Sequence, residues 1–194
     1  MPQMYDVDVR EQHLRTVDFV CPRCGLDRVG TELQPRRWMM AFHLPIAPLG
    51  DLPRVVRCDE CEHVADLGIL DVPTTDQLVD LLELATVAAM VIAVRSTTGE
   101  RVQAVSDGAV RLLSDSGYDV DHRRLAALVA RTSTLDALDD VRRLRTELTP
   151  HGKQNFLHRL TSVAMVGGSL TSKQREGLLT VGRALGMALP HVHG

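Results

Sequence analysis

Aromatic residues are nearly missing from this chain: three Phe, two Tyr and one Trp make up 3% of its 194 residues. A large β-sandwich, whose strands favour aromatic and β-branched side chains, fits that inventory poorly. With 44% hydrophobic residues the chain can still bury a core. That core has to be aliphatic, built from Leu, Val, Ala and Met, which suits packed helices. Lysine is scarcer still: Lys153 and Lys173 are the only two, and arginine carries the remaining positive charge, a bias we read as genome composition rather than chemistry. Charge of one sign is lacking too. The formal net charge is -3, so no global basic field draws the chain to nucleic acid or to an anionic membrane.

Long apolar runs are also absent. The longest, "LATVAAMVIAV" at 84–94, is flanked by Asp80 and Glu83 on one side and Arg95 on the other, and a membrane span needs ~20 such residues. It reads as a buried bundle helix. The first fifteen residues, "MPQMYDVDVREQHLR", are acidic and polar with no apolar stretch of the secretory kind. The expectation is a cytoplasmic protein without a membrane span, in a compartment that keeps thiols reduced. Catalytic motifs are missing as well. No glycine loop ends in Gly-Lys-Ser/Thr, no Gly-x-Ser-x-Gly elbow occurs, and there is no His-Glu-x-x-His. The eight histidines are dispersed: His151 and His158 read as helix surface, and His191 and His193 fall in a tail. The chain is not expected to be an enzyme.

What is present is a set of four cysteines in two pairs. "FVCPRCGLDR" holds Cys21 and Cys24, and "VVRCDECEHV" holds Cys58 and Cys61. Two disulfides are one reading. A reducing compartment opposes it, and a two-residue Cys-x-x-Cys bridge is a redox device rather than a staple. The other reading is one structural Zn²⁺ per chain. Zinc takes four thiolates at tetrahedral corners, and each tight Cys-x-x-Cys turn offers two from one side. Gly25 suits such a turn, which often needs a residue with positive φ; its counterpart in the second pair is Glu62, a less ideal choice. The 33 residues between the pairs can form a hairpin that brings them together. Four cysteines complete the shell, so His43 and His63 read as solvated, and no open position is left for catalytic water.

The intervening "RVGTELQPRRWMMAFHLPIAPLG" reads as strand, with Pro45 and Pro48 marking an edge or a turn. "DLPRVVRC" returns to the second pair, and "HVADLGILDV" follows as a last short strand. Trp38, Phe42 and Leu44 alternate on one face and read as the small core beside the metal, with a peptide-binding surface as the alternative. "CPRCG", "RWMMAFHLPIAPLG" and "VVRCDEC" together resemble bacterial zinc-ribbon domains over residues 16 to 72.

From Thr74 onward the pattern is helical. Thr74 with Gln77 forms a capping box that opens a helix to about Val94. Further helices are expected over 100–114, 122–131, 134–148 (opened by Ser133 with Asp136), 150–166 (Thr149 as N-cap, Pro150 first in the helix) and 172–189 (opened by Thr171 with Gln174). The fold class is therefore α+β by segregated domains: a small β zinc ribbon followed by an all-α bundle of about six helices. Residues 1–15 form an N-terminal extension, 16–72 the ribbon, 73–190 the helical domain and 191–194 a tail. "AVRSTTGERVQAV" and "AMVGGSLTSKQREGLLTVGRALGM" share a small-residue helix end, a Gly-containing turn and a new helix. On those stretches residues 74–190 resemble the TerB-like family associated with bacterial tellurite resistance. The resemblance implies a non-enzymatic scaffold or interaction protein in a bacterial stress response, with protein partners. The family's turn carries an acidic residue before its glycine, where this chain has Thr98 before Gly99 and Gly167 before Gly168. Glu100, Asp107 and Glu176 are the acids left nearby for a second metal, a weak set for a hard cation, and the favoured reading is three solvated helix-face acids.

Nucleic acid is the alternative partner for a zinc ribbon, through Arg36, Arg37, Arg54 and Arg57. Between residues 16 and 70 six arginines face eight carboxylates, and a Zn(Cys)₄ centre adds roughly two more negative charges. Because phosphate neutralisation dominates such affinity, nucleic acid is an unfavoured partner.

Overall fold

The computed structural model describes residues 5 to 188. The chain falls into two compact units, Met1–Gln77 and Leu78–Gly194. The first holds a five-stranded antiparallel sheet and the second carries the helices, six in all among the described residues. This is the expected α+β layout. The tail at 191–194, with His191 and His193, lies outside the described residues.

The strands are β1 (Tyr5–Cys21), β2 (Leu26–Ala41), β3 (Leu44–Asp51), β4 (Val55–Cys58) and β5 (Val64–Asp66). β2 is the spine. One side of it pairs with β1 along its whole length, from Cys21↔Leu26 to Tyr5↔Ala41, with a bulge at Leu14. Its other side pairs first with β4, over Gly30–Leu33, and then with β3, over Arg36–Ala41. Pro35 cannot donate to a ladder, and it sits where β2 changes partner. Pro45 and Pro48 lie in β3, which pairs only with β2 and is an edge strand, as their chemistry requires. On the opposite edge the carboxylates of Asp6 and Asp8 accept hydrogen bonds from the amides of Val7 and Val9, at 2.8 and 2.9 Å.

Three expectations are corrected here. Residues 5–15, set apart as an extension, are half of a long hairpin. "HVADLGILDV" is strand only to Asp66; Leu67–Asp71 is a 3₁₀ turn that starts where the Asp66 carboxylate accepts from the Gly68 amide at 2.8 Å, a local bond that competes with the ladder. Trp38, Phe42 and Leu44 are not the core of the sheet. Phe42 and His43 form the β2–β3 turn at φ 49° and 65°, so the alternation stops, and Phe42 and Leu44 are 76% and 67% exposed. The core lies at the other end, where Phe19 and Val56 are buried with Cys21 and Cys58 beneath Leu67, Ile69 and Leu70.

The helices are α1 (Thr75–Arg95), α2 (Arg101–Asp115), α3 (His122–Arg131), α4 (Thr134–Arg143), α5 (Pro150–Ala164) and α6 (Ser172–Ala184). The capping boxes at Ser133/Asp136 and Thr171/Gln174 form as written in the sequence, as do the Thr74/Gln77 exchange and the Thr149 cap before Pro150. α4 ends five residues short of expectation. Its last turn tightens into i→i+3 bonds, Leu144 to Val141 and Arg145 to Arg142, as helix ends commonly do. Every residue of α1 from Ala88 to Val94 is buried, the signature of a helix surrounded on all sides. Within Leu67–Arg95, which includes the preceding 3₁₀ turn, a stretch is long and apolar enough to cross a membrane by length and composition, which the eleven-residue run did not suggest. Its apolar side chains from Ala85 onward line the interior of the helical unit instead.

One buried polar group ties that interior together. Gln174, 1% exposed, accepts from the Thr171 amide at 2.9 Å and donates to Thr97 Oγ1 at 2.9 Å and to the Ala164 carbonyl at 3.0 Å. It thereby joins the ends of α1 and α5 to the start of α6. Gln174→Ala orphans these partners, and a loss of about 1–3 kcal/mol is expected, read as a fall of several degrees in the thermal midpoint of the 222 nm circular dichroism signal. In the sheet, a Cβ added at Gly30 would lie 2.6 Å from the Arg57 carbonyl oxygen and 2.7 Å from the Phe19 ring. Gly30→Ala is expected to cost the sheet about 1–3 kcal/mol through overpacking, seen as faster proteolysis within residues 5–71 while helicity is retained.

Candidate metal centre

The site is assembled by strand ends. Alternation along β1 puts Val17, Phe19 and Cys21 on one face. The register Gly30↔Val17 and Gly30↔Cys58 places Val56 and Cys58 of β4 on that same face. The first cysteine of each pair therefore closes a strand and is buried, while Cys24 and Cys61 follow in the turns and are half-buried. Both turns have one backbone design. The Gly25 amide donates to the Cys21 carbonyl at 2.8 Å, and the Glu62 amide donates to the Cys58 carbonyl at 2.9 Å. Gly25 and Glu62 have φ of 69° and 58°, so Glu62 accepts a left-handed conformation that glycine takes freely.

The four Sγ atoms lie within 4.8 Å of one another, with Cys21 Sγ 3.6 Å from Cys61 Sγ, and all four thiols are free. A tetrahedral ion with bonds of ~2.3 Å to sulfur separates its ligands by about 3.8 Å. The donor set therefore has the size and chemistry to hold one metal ion such as zinc. His43 is in the turn at the far end of β2, and His63 contributes its backbone carbonyl to the Cys58 amide at 2.9 Å. Among the described residues these four cysteines are the one group placed to hold a metal.

The electrostatics of the metal-free thiols follow from their crowding. Burial opposes ionisation of Cys21, but the amides of Cys24 and Arg23 and the thiols of Cys61 and Cys58 outweigh it and bring its pKa down to about 7. Cys61 goes the other way. The His63 amide favours its thiolate, yet burial and the three surrounding thiols push it up to about 12. Binding of a divalent cation would displace whatever protons the thiols retain.

The other candidate residues are dispersed. Glu100 precedes α2 without capping it. Asp107 is engaged by Gln103 at 2.8 Å and His122 at 2.9 Å, which hold its carboxyl below the ordinary range. Glu176 is exposed on α6. No second cluster of ligands forms among the described residues. Nor do the four arginines share a face. Arg36 and Arg37 are consecutive in a strand and point to opposite sides. Arg36 pairs with Asp51, Arg57 with Glu11 and Arg54 with Glu32. Phe19 and Gly30, which shape the floor of the site, were not singled out in the sequence. The matching patterns Phe19-x-Cys21 and Val56-x-Cys58 were the signal that could have found Phe19.

Glu32 is the buried member of the arginine group, accepting from Arg15 at 2.6 Å and Arg54 at 3.5 Å. The Arg15 hydrogen bond is the largest cause of a carboxyl held below its ordinary value, with the charges of both arginines adding to it against burial. A depressed folded-state value means that its stabilisation is complete above the unfolded value of about 4.3 and is lost as pH falls through the depressed one. In a ¹³C-detected titration Glu32 is expected to titrate below the ordinary glutamate value, and Glu32→Gln to lower the urea midpoint at pH 7; a carboxyl half-protonated at or above the ordinary value contradicts this.

In comparison with known proteins, the chain matches no family model, no curated protein and no solved structure.

Proposed function

We propose that the cysteine cluster is a structural zinc centre in a ribbon-like domain, and that the whole chain acts by binding rather than by catalysis. The observation that carries this reading is the convergence of four free Sγ atoms within 4.8 Å at the ends of two strands. Cys₄ is a closed shell, with no coordination position for substrate or water. The zinc would be held by Cys21, Cys24, Cys58 and Cys61, and its role would be to join the β1–β2 turn to the β4–β5 turn. A unit with only Phe19, Val56 and two cysteines at the centre of its apolar cluster has little hydrophobic burial of its own, and metal binding then supplies folding free energy directly.

The helical unit serves, in this reading, as an interaction domain of the TerB-like kind, with protein partners in a bacterial stress response and a cytoplasmic location where the thiols stay reduced. That step rests on the sequence resemblance of residues 74–190. A nucleic-acid role is the weaker alternative, because Arg36, Arg54 and Arg57 are already engaged by carboxylates of the same sheet.

Native mass spectrometry of the untagged chain tests the metal reading: one zinc per chain, and four alkylatable thiols after denaturation, are expected. Cys24→Ser and Cys61→Ser, at the half-buried positions, are expected to lose the zinc and to expose residues 5–71 to protease while the helical signal persists. A metal-free protein with two disulfides, or a zinc-free variant whose sheet resists protease as the wild type does, overturns the proposal.

A further inference from the structure

The helical unit contains a cavity of about 380 Å³ between α1, the C-terminal end of α2 and α5. That volume lies within the range of small-molecule sites, ~300–1,000 Å³. Its floor is apolar, with Met90 from α1, Leu112 from α2, and Leu148 and Phe156 from the start of α5 and the turn before it. Its rim is polar and of one sign. Arg159 and His158 stand on it, and no Asp or Glu lines it. The cavity continues past Leu112, Ser116, Tyr118 and Arg159 into a shallower cleft, where Arg111 joins and Asp115 is the single acid.

Two groups at the junction of these spaces have no assigned work. The Arg159 guanidinium makes no ion pair or hydrogen bond with any described residue. The half-buried Tyr118 likewise shows a backbone bond, from its amide to the Leu113 carbonyl, and none from its hydroxyl. Arg95, Arg101, Arg111, Arg124 and Arg142 of this unit are engaged by carbonyl or carboxylate oxygens, and of the arginines without such a bond among the described residues Arg159 is the one that lines this cavity. A guanidinium fork beside an apolar floor, unpaired although Asp115 stands in the adjoining cleft, is complementary to an apolar body ending in a carboxylate, which the fork meets with two parallel hydrogen bonds.

We propose that this cavity binds a small amphipathic carboxylate of the medium-chain fatty acid type, its chain on Met90, Leu112 and Phe156 and its head on Arg159. The site is separate from the cysteine cluster and gives the helical unit a ligand of its own, beyond any protein partner. Tyr118 supplies a second donor at the mouth.

The test uses the full zinc-loaded chain and straight-chain acids. Isothermal titration with hexanoate, octanoate and decanoate is expected to give saturable 1:1 binding that tightens by about fourfold per added methylene until the cavity is full. Arg159→Gln, at an exposed position that should not disturb folding, is expected to weaken decanoate by tenfold or more and to leave decanol unchanged. Methyl resonances of Met90, Leu112 and Leu148 are expected to shift with ligand. Absence of saturable decanoate binding at millimolar concentration overturns the proposal. So does decanoate affinity that matches that of decanol and is indifferent to Arg159→Gln, since the cavity would then be an apolar hole without carboxylate recognition. Shifts confined to residues outside the cavity overturn it as well.

Discussion

Four sulfur atoms held within 4.8 Å of one another are the constraint around which the sheet unit is organised. Neutral thiols at that spacing attract one another weakly, and thiolates repel. The surrounding structure nevertheless converges on them. β1 and β4 both terminate there, two turns of the same backbone design wrap them, and the 3₁₀ turn lays Leu67, Ile69 and Leu70 over the strand face that carries them. Gly30 has to be a glycine because it is the floor on which Phe19 and the Arg57 carbonyl meet. The rest of the sheet, up to the Phe42–His43 turn, extends away from this base with little buried between its faces. A unit organised this way derives its stability from one end, and a metal at that end would act on the whole of it.

What the sequence disclosed follows from how local each signal was. A cap is a matter of three or four residues, so Ser133/Asp136, Thr171/Gln174 and Thr149-Pro150 could be read directly, and each marks a helix start in the structure. The cysteine pairs are equally local. The N-terminal strand was missed although Val7 and Val9 alternate with Asp6 and Asp8, because a strand exposed on both faces leaves no apolar stripe against which to set the alternation. The aromatic stripe failed for another reason. A tight turn that needs left-handed residues normally announces itself with Asn or Gly, and Phe42 and His43 carry no such signal. The candidate second metal site failed because Glu100, Asp107 and Glu176 were grouped by nearness to similar turns, which says nothing about where three side chains end.

The helical unit depends on a different kind of constraint. Its central helix is so uniformly apolar, from Ala88 to Val94, that it offers neighbours few polar features to distinguish one register from the next. Gln174 supplies one. The same side chain that completes the cap of α6 also reaches Thr97 and Ala164, so a slide of α6 along α1 by a single residue would strand several buried polar groups. Capping and tertiary specificity are thus carried by one amide, and only the first of these roles could be read from its neighbours in the chain.

The edges of the sheet have a consequence for the protein in a crowded solution. A long, thin sheet with exposed Val7, Val9, Leu44, Ile46 and Leu49 is the kind of object that could add copies of itself strand by strand. Each border is blunted in its own way. Asp6 and Asp8 occupy outward amides of β1 with their own carboxylates and would face any incoming strand with negative charge. β3 presents Pro45 and Pro48, which have no amide proton to give. β5 is three residues long and runs directly into a helical turn. At these places growth through backbone pairing is disfavoured, and the apolar residues beside them can remain on the surface with less risk of turning the fold into a template for its own polymer.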